Sequence, residues 1–442
     1  MPFSTLNPTL QANLSALGYT DPTPIQTKVI PLMLRGRDIL GAAQTGTGKT
    51  AAFALPILQQ LGKGDADEIA RPRALILVPT RELATQMTRA IRSYALGLDL
   101  RILNVFGGVN IDKQIASLSK GADLLIATPG RLIELNKQGH IPLSKISHLV
   151  FDEADTIMDM GFIREIEQIV DMLPPSRQTA LFSATMTGAV KRLSERVLKR
   201  PLLVEIDNLK AADATIRQIV HPTEAERKRE LLAYLIGSNN YPQILVFTRT
   251  KAIADEVSEY LRESGLPCVT IHGDKKHGAR DRALRDFREG KSRILVATDI
   301  AARGLDIDGL DVVINYDIPH IASDYIHRIG RTGRAGKEGT AITLLSASES
   351  LSWKKIVAML GKNVEIVPVA GFEPPSTDGL AKTRGKSMAK EAEKKGRTPG
   401  AFGHKKKKEP VQPKHIGKRG PRVMREEEPK KAAPKKGKGR GR

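Results

Sequence analysis

Short uninterrupted apolar runs recur along most of this 442-residue chain, nearly every one ending in a polar cluster, with helical patterns between them. Strands buried on both faces read this way, whereas strands with one wet face alternate. In the first half the runs are Asp38–Leu40, Arg73–Pro79, Asp123–Thr128, His148–Asp152 and Thr179–Ser183. In the second half they are Gln243–Thr248, Cys268–His272, Arg293–Thr298, Asp311–Tyr316 and Thr340–Leu344. Helical patterns such as Arg81–Tyr94 and Ile163–Met172 lie between them. The alternation predicts α/β units: parallel sheets with right-handed crossovers and helices on both faces. Ligands in such sheets bind beyond the carboxyl ends of the strands, where the polar clusters fall. The length suggests two or three units, and polar Glu205–Thr215 reads as a linker. The expected organisation is a first domain over 1–205, a linker over 206–214, a second domain over 215–368 and a tail over 369–442.

Charge separates the tail from the body. Of the net +21, residues 374–442 hold 23 lysines and arginines against 7 acids, while the rest holds 47 against 42. The runs Lys405–Lys408 and Lys435–Arg442 interleave with proline and glycine, and Phe402 is the only aromatic there. Such a segment buries too little apolar surface to fold and reads as a disordered electrostatic tether for nucleic acid. No run of eighteen apolar residues suggests a membrane span, and Met1–Ser4 lacks the pattern of a secretory signal. A cytoplasmic location is expected. Cys268, the only cysteine, excludes an internal disulfide and a cysteine metal cluster; it reads as a small buried apolar residue.

Three clusters carry chemistry. Ala43-Gln44-Thr45-Gly46-Thr47-Gly48-Lys49-Thr50 sits between a strand and a helix, the context of a phosphate-binding loop, with Ala43 where a glycine is usual. Glycines let backbone N–H groups turn toward a polyphosphate at a helix N-terminus. Lys49 would reach its β- and γ-phosphates and Thr50 would bind Mg²⁺. Asp152-Glu153-Ala154-Asp155 follows an apolar run. Asp152 suits Mg²⁺ through water, and Glu153 suits the group that deprotonates an attacking water. In the second half, His327-Arg328-Ile329-Gly330-Arg331-Thr332-Gly333-Arg334 reads as cations brought to a γ-phosphate held by the other lobe. ATP is therefore expected between two lobes, hydrolysed on closure.

In order, Gly18–Gln26, the phosphate loop, Pro79–Ala84, Gly107-Gly108, Thr128–Arg131, the acidic tetrad, Ser183–Thr185, Val246–Thr250, Ala301–Asp306 and the arginine-rich turn resemble a DEAD-box RNA helicase from Phe3 to about Pro368. Ala43 is normal in that family. The resemblance implies two tandem RecA-like domains. It implies that Gln26 reads the adenine edge with Tyr19 stacked and Phe3 behind it, and that Asp306 holds the ribose. Arg331 and Arg334 would engage the γ-phosphate, and His327 would link it to the first lobe. Asp155, Ser183 and Thr185 would couple hydrolysis to strand separation. RNA backbone would lie on Thr80, Arg81, Gly108, Thr128 and Arg131 of the first lobe and on Arg249, Gly273, Thr298 and Asp299 of the second. Aromatics are 4% of the chain and absent from these clusters, so the surface should grip phosphate and 2′-OH groups without reading sequence. His277 stands where the family usually has glutamine, with Arg280 retained. The tail and compact core resemble bacterial RhlE-like helicases, which act in ribosome assembly and RNA decay. The alternatives are a DNA translocase, and a nucleotide-gated RNA clamp or annealing chaperone.

Overall fold

The computed structural model describes residues 2–43, 46–62, 71–206, 216–303, 305, 307, 309–333 and 338–374. Fourteen strands among them form two seven-stranded sheets, parallel throughout. The first contains β1 (Ile39–Ala42), β2 (Ala74–Leu77), β3 (Ile102–Val105), β4 (Leu124–Ala127), β5 (His148–Phe151), β6 (Gln178–Ser183) and β7 (Leu202–Glu205). The second contains β8 (Ile216–Pro222), β9 (Ile244–Thr248), β10 (Cys268–Ile271), β11 (Ile294–Thr298), β12 (Val312–Asn315), β13 (Gly339–Leu345) and β14 (Glu365–Ile366). Their orders, β3-β4-β2-β5-β6-β1-β7 and β10-β11-β9-β12-β13-β8-β14, are the same order with every label advanced by seven. One topology has been used twice.

The apolar runs form strands because both sheet faces are covered. Ala74 and Ile76 of β2 enter one core while Leu75 and Leu77 enter the other. In β9, Ile244 and Val246 part from Leu245 and Phe247 in the same manner. The helices Arg81–Tyr94 and Ile163–Met172 occupy the spans read from their patterns. Cys268 is buried, and burial raises its thiol pKa. Among the described residues, no helix is long and apolar enough to cross a membrane.

One boundary moves. From sequence the second domain ends at 368, but the chain packs further: Val367 N–H donates to Val220 O at 2.8 Å. Val369 and Phe372 then join the core that holds Ile244 and Val246. Arg227 lies over the Phe372 ring at 4.6 Å and donates to Gly371 O at 2.6 Å. The composition shift that marks the tail therefore falls after Phe372 in the sequence. Residues 207–215 of the expected linker and 375–442 of the expected tail lie outside the described residues.

Candidate functional site

The turn after β1 feeds the helix Lys49–Leu61, with Gly48 as its N-cap at φ 90°. A Cβ there would be strained and would lie 2.5 Å from Gln26 Nε2, so only glycine lets the loop pass. Lys49 is 5% exposed. Its Nζ donates to Ala43 O at 3.0 Å and stands 3.5 Å from Asp152 Oδ1. Thr50 occupies the same first helical turn. Gln26 is fully buried, with its amide engaged inside the lobe. Oε1 accepts from Thr23 N–H at 2.9 Å, and Nε2 donates to Gly48 O at 3.2 Å. The residue expected to read adenine therefore also ties its segment to the phosphate loop. Tyr19 meets Tyr94 edge-on, hydroxyl to hydroxyl at 2.9 Å, and Phe3 packs against the same core.

The tetrad begins where β5 ends. Asp152 Oδ1 accepts the Glu153 N–H at 3.0 Å. Glu153 takes φ 52° and ψ 51°, a left-handed conformation rare for a side chain of this kind. The turn aims it inward: it is 3% exposed. Burial raises the Glu153 pKa and the neighbouring Asp152 charge raises it further, against the cations of His327, Lys49 and Arg331. Asp155 is completely buried. Its Oδ2 accepts from both the N–H and the hydroxyl of Thr185 at 2.9 Å, and Ser183 Oγ donates to Thr185 O at 2.7 Å.

The second lobe reaches this same carboxylate. His327, on the helix Ala322–Ile329, places Nε2 3.4 Å from Asp155 Oδ2. Burial penalises the imidazolium, but Asp155 and Glu153 outweigh it and the His327 pKa is raised; His327 in turn helps hold Asp155 below the usual carboxylate range despite its burial. Arg331 is buried, donates to Leu305 O at 3.0 Å and contributes its charge to Glu153. Lys49, Asp152, Glu153, Asp155, Thr185, His327 and Arg331 thus meet at the lobe boundary. A second bridge was not foreseen: Glu82 Oε1 accepts from Arg81 Nε at 2.9 Å and from Arg280 Nη2 of the other lobe at 2.7 Å. Gln44, Thr45, Asp306 and Arg334 lie outside the described residues.

The expected RNA residues occupy matching strand ends in the two sheets. After β2 come Thr80 and Arg81, and after β9 comes Arg249. After β3 comes Gly108, and after β10 comes Gly273. After β4 comes Thr128, and β11 ends on Thr298 with Asp299 next. Thr80, Thr128 and Thr298 each precede a helix as its N-cap. Gly108 has φ 80°, and a Cβ there would lie 2.7 Å from Arg81 Nη1, so glycine gives the guanidinium its place. Arg131 donates to Val109 O. The Asp299 carboxylate is also held inside the lobe, where Arg328 grips it with two bonds of 2.5 and 2.7 Å. Its side chain braces the second lobe. Motif reading also passed over Lys228, Asp317 and Glu349, buried around Arg249. The signal was available in the repeat, since Lys228 opens the helix after β8 as Lys49 opens the one after β1.

Comparison with known proteins matches both lobes. The DEAD/DEAH box helicase family matches residues 23–193, and the helicase conserved C-terminal domain matches residues 227–336. ATP-dependent RNA helicase DBP2 of Ajellomyces capsulatus is 40% identical over 365 residues, 80% of this chain and 66% of that protein. DEAD-box ATP-dependent RNA helicase 30 of Arabidopsis thaliana is 40% identical over 382 residues, 84% of this chain and 62% of that protein. The chain therefore spans less than two thirds of either relative, both of them eukaryotic. The structure of Saccharomyces cerevisiae Dbp5 bound to RNA and ADP BeF3 aligns with a TM-score of 0.74 at 31% identity, over 82% of this chain and 94% of that one. With both lobes matched in order, the chain belongs to the DEAD-box family of ATP-dependent RNA helicases.

Proposed function

We propose that this chain is an RNA-dependent ATPase that holds RNA backbone across two lobes and uses ATP hydrolysis to separate short duplexes or remodel RNA–protein complexes. One observation carries the reading: two cations of the second lobe, His327 and Arg331, stand beside the buried Lys49, Asp152, Glu153 and Asp155 of the first. Neither lobe alone assembles that set.

In this reading Lys49 leaves Ala43 O to meet the β- and γ-phosphates, and the loop N–H groups follow. Glu153 takes the proton of the attacking water, a role favoured by its raised pKa. Arg331, with Arg334, neutralises charge developing on the γ-phosphate, a contribution of roughly 10³–10⁵ in rate for such arginines. Asp152 and Thr50 form a hard oxygen donor set that suits Mg²⁺ held chiefly through substrate phosphates. Mg²⁺ would supply charge neutralisation at those phosphates. Gln26, Tyr19 and Phe3 form the base-side wall, with Asp306 at the ribose. Thr80, Arg81, Gly108, Thr128, Arg131, Arg249, Gly273 and Thr298 form the RNA track. Asp299 would contribute through its backbone.

Glu153→Gln tests the chemistry. It should lower turnover by roughly 10²–10⁴-fold while ATP and RNA still bind together, as measured by steady-state ATPase and by fluorescence anisotropy of labelled RNA. Near-normal turnover would refute the assigned base. The cytoplasmic location, which rests on the single cysteine and the N-terminal pattern, and the bacterial RhlE-like affinity with its roles in ribosome assembly or RNA turnover, which rest on the tail and compact core, belong to the same proposal. In-cell crosslinking of bound RNA with the Glu153→Gln chain tests them.

A further inference from the structure

The repeated topology gives the second lobe its own counterpart of the phosphate-binding position. Lys228 is the first residue of the helix after β8, as Lys49 is of the helix after β1. Each lysine is buried, and each faces an aspartate beyond a matching strand: Lys228 Nζ is 4.0 Å from Asp317 Oδ1, Lys49 Nζ 3.5 Å from Asp152 Oδ1. The turn before Lys228 (Thr223-Glu224-Ala225-Glu226-Arg227) has no glycine and lacks the means to fold its N–H groups around a polyphosphate. An internal anion stands there instead. Lys228 Nζ donates to Glu349 Oε2 at 2.5 Å.

Glu349 is 7% exposed, and its carboxylate collects donors from four places in the lobe. Oε2 also accepts from the N–H and hydroxyl of Ser346, at 3.1 and 2.7 Å. Oε1 accepts from Ile318 N–H at 3.0 Å and from Arg249 Nη2 at 2.8 Å. Burial opposes the charge, but Lys228 and these bonds keep the Glu349 pKa below the usual carboxylate value. Arg249 is further held through Nε to Ile318 O at 3.3 Å and through its own N–H to Asp317 Oδ2 at 2.8 Å. With Nε and Nη2 both engaged, the plane of the guanidinium is set, while its side chain remains 29% exposed.

We propose that Glu349 is a positioning residue for RNA binding, an internal anion at the second lobe's phosphate position that orients the Arg249 guanidinium toward the RNA backbone. The inference rests on Arg249 being a backbone contact. Two charges explain why one carboxylate serves both cations: Lys228 keeps Glu349 ionised inside the lobe, so Arg249 is oriented without being the sole counter-ion. A planar fork held along one edge presents its remaining donors at a fixed angle, which a freely rotating cation does not.

The test uses the full chain with labelled single-stranded RNA and a non-hydrolysable ATP analogue. Glu349→Gln keeps the shape and removes the charge; it weakens the buried pair with Lys228 and should lower the melting temperature, while below that melting RNA affinity should weaken roughly tenfold with the KM for ATP near wild type. Adding Glu349→Gln to Arg249→Ala should cost nothing beyond Arg249→Ala alone. Arg249→Lys keeps the charge and the fold but loses the fork, and should weaken RNA binding nearly as much as Arg249→Ala. If Arg249→Ala weakens RNA binding while Glu349→Gln does not, or if Arg249→Lys binds like wild type, the positioning role is overturned. If Arg249→Ala itself leaves RNA affinity unchanged, the assignment of Arg249 to the RNA track falls first.

Discussion

His327 is the residue on which the meeting of the two lobes is most exposed to pH. Its imidazole is buried against Asp155 and Glu153, and the two carboxylates raise its pKa although burial alone would lower it. A raised pKa means that the contribution of the charged pair is fully present below the ordinary histidine value and is lost as pH rises through the higher value. The Asp155 side of the pair is safe over that range, because its own pKa is shifted down. ATPase activity should therefore weaken on the alkaline side, chiefly as a rise in the RNA concentration needed for half-maximal rate. A factor of about ten corresponds to one pKa unit of coupling. His327→Gln should be weaker at neutral pH and should lose that alkaline dependence, measured as RNA-stimulated ATPase between about pH 6.5 and 9. An unchanged alkaline limb in His327→Gln would assign the effect to another group.

At the scale of elements, what could be read from sequence divides by position in the sheet. Interior strands such as β2, β4, β9 and β11 are buried on both faces, and they announce themselves as uninterrupted apolar runs. Of the four edge strands, β3, β7 and β14 were not legible, because an edge has one side open to polar residues, whereas β10 was read within Cys268–His272 because its apolar run is unbroken by charge. Asn104 breaks the run in β3, and β7 offers only Leu202–Val204 before Glu205 ends it. β8 lies one place from an edge and alternates, with Arg217 exposed. The phosphate loop and tetrad were legible because their spacing is local. The ties among them were not, since partners such as Asp155 and Thr185 are thirty residues apart in sequence. That tie joins the ends of β5 and β6 and carries a prediction. Thr185→Val removes the hydroxyl bond to Asp155 but keeps the N–H bond. ATPase should stay within about threefold while strand separation falls about tenfold, measured in parallel on a short labelled duplex. Equal loss of both would show that the tie supports hydrolysis itself rather than its coupling.

For the whole molecule, duplication of one sheet order presents the same strand ends twice, once beside Lys49 and Asp152 and once beside Glu349 and Lys228, so the proposed RNA track would run across both lobes. In the proposed reading the basic residues after 374 would add a sequence-independent tether to that track. The end of the second lobe is fixed by Phe372, which stacks at 5.5 Å on Tyr234 and under Arg227. A truncation meant to remove only the tail must therefore end after Pro374; one ending at Gly371 would delete Phe372 and uncover part of the core. The removed residues hold 23 lysines and arginines against 7 acids. If about six of those cations contact single-strand phosphates, the slope of log affinity against log salt should fall by roughly four. Basal ATPase should be unchanged, and RNA affinity should drop most at low salt, where counterion release is worth most. Binding titrations at three or more salt concentrations, with ATPase at saturating RNA, distinguish a tether from a part of the engine. Loss of ATPase at saturating RNA would place the tail within the catalytic cycle and overturn the tether.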